Sequence, residues 1–227
     1  MRVLAGGLLL AVIAVAATSA CVRPTSRVSA IGTPLPAPPP VDRPALVVGD
    51  RWSFRGTSGG RVDETFRGRR DHALVFHRVN YAPGSATPAV QYDRLLTDDL
   101  ALISGGGTQN RPDDGALRFP LAVGKSWQHR YVRVVQRPQP REIEVVLNAQ
   151  VKTYERISLA GVAFDAFRIE SVSETAGADV PPLRATYWYA PAAKAIVKYD
   201  AEYSTGSPGL STEATIGFEL VNHEIKP

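Results

Sequence analysis

The residues of this 227-residue chain whose types could do chemistry are four histidines, a pair of glutamates and one cysteine, and their spacing separates them. His72 and His77 are five apart. In a strand an odd step places them on opposite faces, so they cannot hold one metal ion between them. His129 would share a face with Trp127 and Tyr131, which reads either as the lining of a cavity or as plain core, and His223 has no ligand-like neighbour. Glu142 and Glu144 lie on one strand face about 7 Å apart, within the range that glycosidase carboxylates use. They also fall on the polar side of an amphipathic strand, which accounts for them without catalysis. There is no Gly-x-Ser-x-Gly elbow, and Ser104-Gly105-Gly106-Gly107 has neither a phosphate-binding lysine nor a helix signal after it. Asp113-Asp114-Gly115 lacks the further ligands of a calcium loop. The expectation is a protein that is not an enzyme, with no catalytic residue, no metal ligand and no cofactor.

Cys21 is the one cysteine, which excludes a disulfide framework and a cysteine-rich metal site. Before it come Arg2 and an apolar or small run from Val3 to Ala17, the pattern of a secretory signal. As a membrane span it is on the short side of the roughly 20 residues needed. Thr18-Ser19-Ala20-Cys21 resembles the lipobox of bacterial lipoproteins, with Thr18 where Leu is usual. The resemblance implies that residues 1–20 are removed and that Cys21 becomes the acylated N-terminus. Two or three acyl chains hold a protein firmly, since each buried methylene contributes about 0.8 kcal/mol. Val22 stands where the inner-membrane retention rule wants Asp. The same resemblance therefore implies an outer-membrane anchor facing the periplasm.

The charge narrows the partners. The formal net charge is +4, and loss of Arg2 with the signal leaves +3. Basic and acidic residues interleave, and the Arg67, Arg69, Arg70 cluster runs at once into Asp71, so the pI near 9.3 is no argument for nucleic acid. From residue 21 to 44 the composition turns to Pro, Ser and Thr with no apolar period. This reads as a polyproline-II spacer rising about 3.1 Å per residue and reaching up to roughly 70 Å.

Residues 45–227 read as many short strands. Between Arg141 and Lys152, Ile143, Val145, Leu147, Ala149 and Val151 fall on one face and mostly polar residues on the other, the alternation of a half-buried strand. Similar segments, rich in Val, Ile, Tyr and Trp, include Ala73–Tyr81, Ser126–Gln136 and Ala195–Tyr203, with Gly, Pro and Asp pairs at the seams. Tyr92–Ile103 reads as strand, turn, strand around Thr97-Asp98-Asp99 rather than as a helix. Leu46-Val47-Val48-Gly49-Asp50-Arg51-Trp52 recurs as Leu121-Ala122-Val123-Gly124-Lys125-Ser126-Trp127, matching at Leu, Val, Gly and Trp. A glycine turn before an aromatic that anchors the next strand is the physical reading. The fold expected is all-β, a curved antiparallel sheet or incompletely closed β-barrel, with two similar modules (45–116 and 117–227) sharing one core.

Phe119 to Trp127, Leu159 to Ile169, Thr186-Tyr187-Trp188-Tyr189-Ala190-Pro191 and Ile196 to Tyr199 resemble a pattern of uncharacterised proteobacterial envelope lipoproteins. It runs PLxVGxxW, GxxFDAFRI, WYAP over residues 117–203, with the Trp52 region as a weaker copy. That family is similar to domains with curved, incompletely closed antiparallel barrels, an architecture also seen in lipoprotein-localisation factors. It implies no catalytic residues. Trp52, Trp127, Tyr131, Tyr187, Trp188 and Tyr189 are the aromatics that would line a ligand cavity or fill the core. Two functions follow: a non-enzymatic binding or scaffolding module with an envelope protein or lipid partner, or a carrier of acyl chains or lipoproteins in a hydrophobic half-barrel.

Overall fold

The computed structural model describes residues 32–136, 139–176, 182–203 and 216–227. Residues 1–20, read as a signal, Cys21 and the first part of the segment read as a spacer lie outside the described residues. Among the described residues, thirteen strands carry the fold. They are β1 (Thr33–Pro34), β2 (Arg51–Gly56), β3 (Arg61–Arg70), β4 (Ala73–Tyr81), β5 (Pro88–Leu96), β6 (Leu102–Gly105) and β7 (Thr108–Arg111). After these come β8 (Ser126–Val135), β9 (Arg141–Leu159), β10 (Val162–Thr175), β11 (Leu183–Ala190), β12 (Ala195–Tyr203) and β13 (Ile216–Glu224). One 3-10 turn, Pro191–Ala193, joins β11 to β12.

From β2 onward each strand pairs antiparallel with the next, and β13 returns to β2 from Phe218↔Gly56 to Glu224↔Arg51. The expected all-β antiparallel barrel is therefore the fold found, as an up-and-down ring, and it is closed rather than incomplete. Closure removes the open edges that antiparallel sheets otherwise carry.

The alternation read at Arg141–Lys152 runs on to Leu159, with a register shift at Lys152: Val151 faces Ile169 while Thr153 faces Arg168. The extra residue exchanges the two faces. Before it, Val145, Leu147, Ala149 and Val151 enter one apolar cluster; after it, Ile157 and Leu159 enter another. β10 and β11 also serve both clusters. Phe164, Ala166, Trp188 and Ala190 pack with Trp52, Phe54, Phe66 and Phe76 in the first cluster, and Phe167, Ile169, Tyr187 and Tyr189 with Tyr131 and Leu121 in the second. Leu100 packs against both, so the two clusters meet there, and the first of them draws on residues from both halves of the sequence.

The repeated motif is one turn built twice. Asp50 N–H donates to Val47 O at 2.9 Å and Lys125 N–H to Ala122 O at 3.1 Å. Gly49 and Gly124 occupy the third position with φ of +95° and +88°, which a type II turn demands.

The proline-rich segment, read from composition as a spacer up to Pro44, is docked on the barrel over part of its length. Thr33 and Pro34 pair with Arg156 and Glu155, Leu35 N–H donates to Tyr154 O, and Val41 exchanges two hydrogen bonds with Leu121. The reason is the length of β9. β8 covers its edge only from Arg141 to Gln150, Val151 bonds to Gly124 and Lys125, and the proline-rich segment takes Tyr154 to Arg156. Proline lacks an N–H and so is suited to an outermost strand. Gly32 lets the chain approach, since a Cβ there would come within 2.7 Å of Arg156 O.

Candidate functional site

The six aromatics singled out in the sequence do not converge. Tyr131, Tyr187 and Tyr189 are buried in the second cluster. Tyr131 Oη accepts from Arg133 Nη2 at 2.7 Å, and Tyr187 Oη lies 2.8 Å from Ser171 Oγ. Burial pushes Tyr131 and the neighbouring Tyr199 up to about 12, and raises Tyr187 and Tyr189 further. Trp188 is buried in the first cluster; its Nε1–H donates to Glu155 Oε1 at 2.7 Å, and Lys198 stands 4.9 Å over its ring. Trp52, 2 % exposed, donates to Ala193 O at 2.7 Å and walls a small cavity. Trp127 is half-buried, donates to Gly115 O at 2.9 Å and borders a surface groove.

The groove lies across β8, β9, β10 and β11 and encloses about 680 Å³. Pairing sets its floor in two rows. Ser126 faces Gln150, Gln150 faces Glu170 and Glu170 faces Thr186; beside them run Gln128, Asn148, Val172 and Arg184. A strand shows every second residue on one face, so these eight side chains stand together opposite the apolar second cluster. All but Val172 are polar. Gln128 Nε2 donates to Asn148 Oδ1 at 2.9 Å and Lys152 Nζ to Gln150 Oε1 at 2.5 Å.

The cavity beside Trp52 is smaller, about 150 Å³, and differs in chemistry. Trp52, Phe54 and Phe76 wall it from β2 and β4, and Phe218 and Ile196 from β13 and β12. Glu64, Arg78 and Arg94 enter the same space. Arg94 Nη1 donates to Glu64 Oε1 at 2.5 Å, and Arg78 Nε lies 2.9 Å from the same oxygen without the alignment of a hydrogen bond. Burial would raise the Glu64 carboxyl, but Arg94 and Arg78 outweigh it and hold its pKa below the ordinary value. Nearby Asp114 goes the other way: burial raises it despite hydrogen bonds from Leu102 N–H and Ala116 N–H. The triad escaped the sequence reading, although a signal exists. Glu64 alternates with Val62 and Phe66, Arg78 with Phe76 and Leu74, and Arg94 with Leu96. In each case the charge falls on the apolar face.

The histidines stay apart. His77 pairs with Asp93 at 3.1 Å on an exposed face, His129 contacts Arg118 and Asp113, and His223 packs on Phe164. Among the described residues no group of three or more His, Cys, Asp or Glu is placed to hold a metal ion. Glu142 pairs with Arg111 at 2.5 Å on the surface. Asp113 accepts from Gly115 N–H and Arg118 Nη2, so the Asp113-Asp114-Gly115 turn is tied up in local bonds.

No family model matches the chain, and no curated protein does. Two solved structures share its architecture. One is a candidate lipoprotein from Parabacteroides distasonis, with TM-score 0.53 and 9 % identity over 81 % of this chain and 99 % of that one. The other is a candidate exported protein with a YmcC-like fold from Bacteroides fragilis, with TM-score 0.53 and 10 % identity over 82 % and 99 %. At such identities the likeness shows the fold alone, an antiparallel barrel.

Proposed function

We propose that this chain is a lipoprotein of the cell envelope, held through an acylated Cys21 on the periplasmic face of the outer membrane, whose barrel is a non-enzymatic binding module. The lipobox-like Thr18 to Cys21 supports the anchor, as does the occurrence of the fold in proteins described as lipoprotein and exported protein. The observation that carries the binding role is the groove: two rows of polar side chains across four strands, about 680 Å³, with no catalytic arrangement in them. A surface of amide, hydroxyl and mixed charged groups suits a hydrated polar partner rather than an acyl chain. The carrier reading is the weaker one. The aromatic-walled cavity holds about 150 Å³, half the lower end of the usual range of ligand cavities, about 300 Å³.

The test places a photo-crosslinking residue at Gln128 or Asn148 of the natively anchored protein, with a control at Arg55 on β2. Mass spectrometry of the adducts should recover one envelope component from the groove positions and not from the control. Equal labelling at all three positions would overturn the groove as a binding face. Cys21→Ser should move the protein from the membrane to the soluble fraction; retention in the membrane would remove the anchor from the proposal.

A further inference from the structure

The cavity beside Trp52 carries an inference of its own. Two guanidiniums bring ten N–H donors into it, and among the described residues Glu64 is the one acceptor that either meets. Arg78 Nε is buried and, although 2.9 Å from Glu64 Oε1, lacks the alignment of a hydrogen bond. Lys194 also enters the wall but is neutralised by Asp50 at 3.4 Å. The cavity wall thus sets two guanidiniums against one carboxylate, with Asp114 acting on Arg94 from nearby, and one buried donor, Arg78 Nε, is left without an aligned hydrogen bond, which is costly away from water. A carboxylate is the planar two-oxygen acceptor that matches a guanidinium fork. The remaining wall is apolar and largely aromatic, and a space of about 150 Å³ accepts a benzene-sized body. The side chains of Arg78 and Arg94 each keep 20 % of their surface exposed, so the charged end of the cavity reaches solvent.

We propose that this cavity binds a small organic carboxylate with an apolar body, of about the size of benzoate, its carboxylate on Arg78 and Arg94 and its body against Trp52, Phe76 and Phe218. The site is separate from the polar groove and does not depend on the anchor.

Isothermal titration calorimetry on the purified full chain, with benzoate as the probe, tests it. Benzoate should bind saturably at one site, and formate, which has the charge without the body, should bind at least tenfold more weakly. So should benzyl alcohol, which has the body without the charge. Arg78→Gln keeps the Arg94–Glu64 pair and should weaken benzoate at least tenfold. Ala195→Leu fills the cavity without touching a charge and should do the same, with the circular dichroism of the folded barrel unchanged in both. Absence of saturable benzoate binding would overturn the proposal. Equal affinity for formate or benzyl alcohol, or full affinity in folded Ala195→Leu, would do so as well.

Discussion

The two apolar clusters solve one problem in opposite ways. Each must bury polar atoms that a tightly curved sheet turns inward. The second cluster does so with phenols: Tyr131, Tyr187 and Tyr189 fill space with their rings, and a single hydroxyl each needs a partner, found at Arg133 for Tyr131 and at Ser171 for Tyr187. The first cluster borders full charges, Glu64 between Arg78 and Arg94, and a cavity remains beside them. A phenol satisfies a packed core cheaply, whereas guanidiniums carry more donors than one carboxylate can absorb. In the first cluster, free space and an unmet hydrogen-bond donor lie together, at Arg78.

Breaking the charged side should have the largest effect. Glu64→Ala removes the acceptor shared by two largely buried guanidiniums and should cost about 2–4 kcal/mol, toward the lower end for a buried ion pair because both arginines keep some solvent contact, read as a lowered urea midpoint with unchanged m-value. Acid does the same reversibly. Because the folded pKa of Glu64 is lowered, the folded state binds fewer protons than the unfolded chain. Its contribution is complete above the unfolded value near 4.3 and is lost as pH falls through the folded value. Asp114, raised by burial, has the opposite slope. The comparison is therefore made as the difference between the native chain and Glu64→Gln from pH 3 to 7, which should shrink toward acid.

The tyrosine side should fail at the other end of the scale. With Tyr131 and Tyr199 at about 12 against about 10 unfolded, the folded state holds more protons between those values, and stability should fall as pH rises through them. Tyr187→Phe should cost about 1–2 kcal/mol, since it strands the Ser171 hydroxyl. The smallest effect belongs to the surface. Glu142→Ala removes an exposed pair with Arg111 and should change stability by less than about 0.5 kcal/mol. A larger loss would show that the contrast between clusters is not what governs stability.

Much of the first-order fold was legible in the residues. Alternation at Ile143 to Val151 marked β9, Thr97-Asp98-Asp99 marked the turn between β5 and β6, and the repeated Val-Gly before Trp marked two equivalent turns. β3 was not legible, because Arg67, Arg69 and Arg70 hide a strand whose inward face is only Val62, Glu64 and Phe66. The exchange of faces at Lys152 depends on pairing with β10, which no local pattern encodes. The Glu64–Arg78–Arg94 triad joins three strands through partners up to 30 residues apart. Docking of Thr33–Val41 follows from an edge left uncovered elsewhere, whereas composition alone speaks only for an extended chain.

That docked segment has a mechanical consequence. If the membrane pulls on an anchor at Cys21, tension enters the barrel at Thr33 and Pro34, along the rim of β9, and next at the Val41–Leu121 clasp. It does not reach the Trp52 turn until both have peeled away. The load then falls first on a few replaceable hydrogen bonds at the periphery, and the charged cavity and polar groove are isolated from strain in the leash.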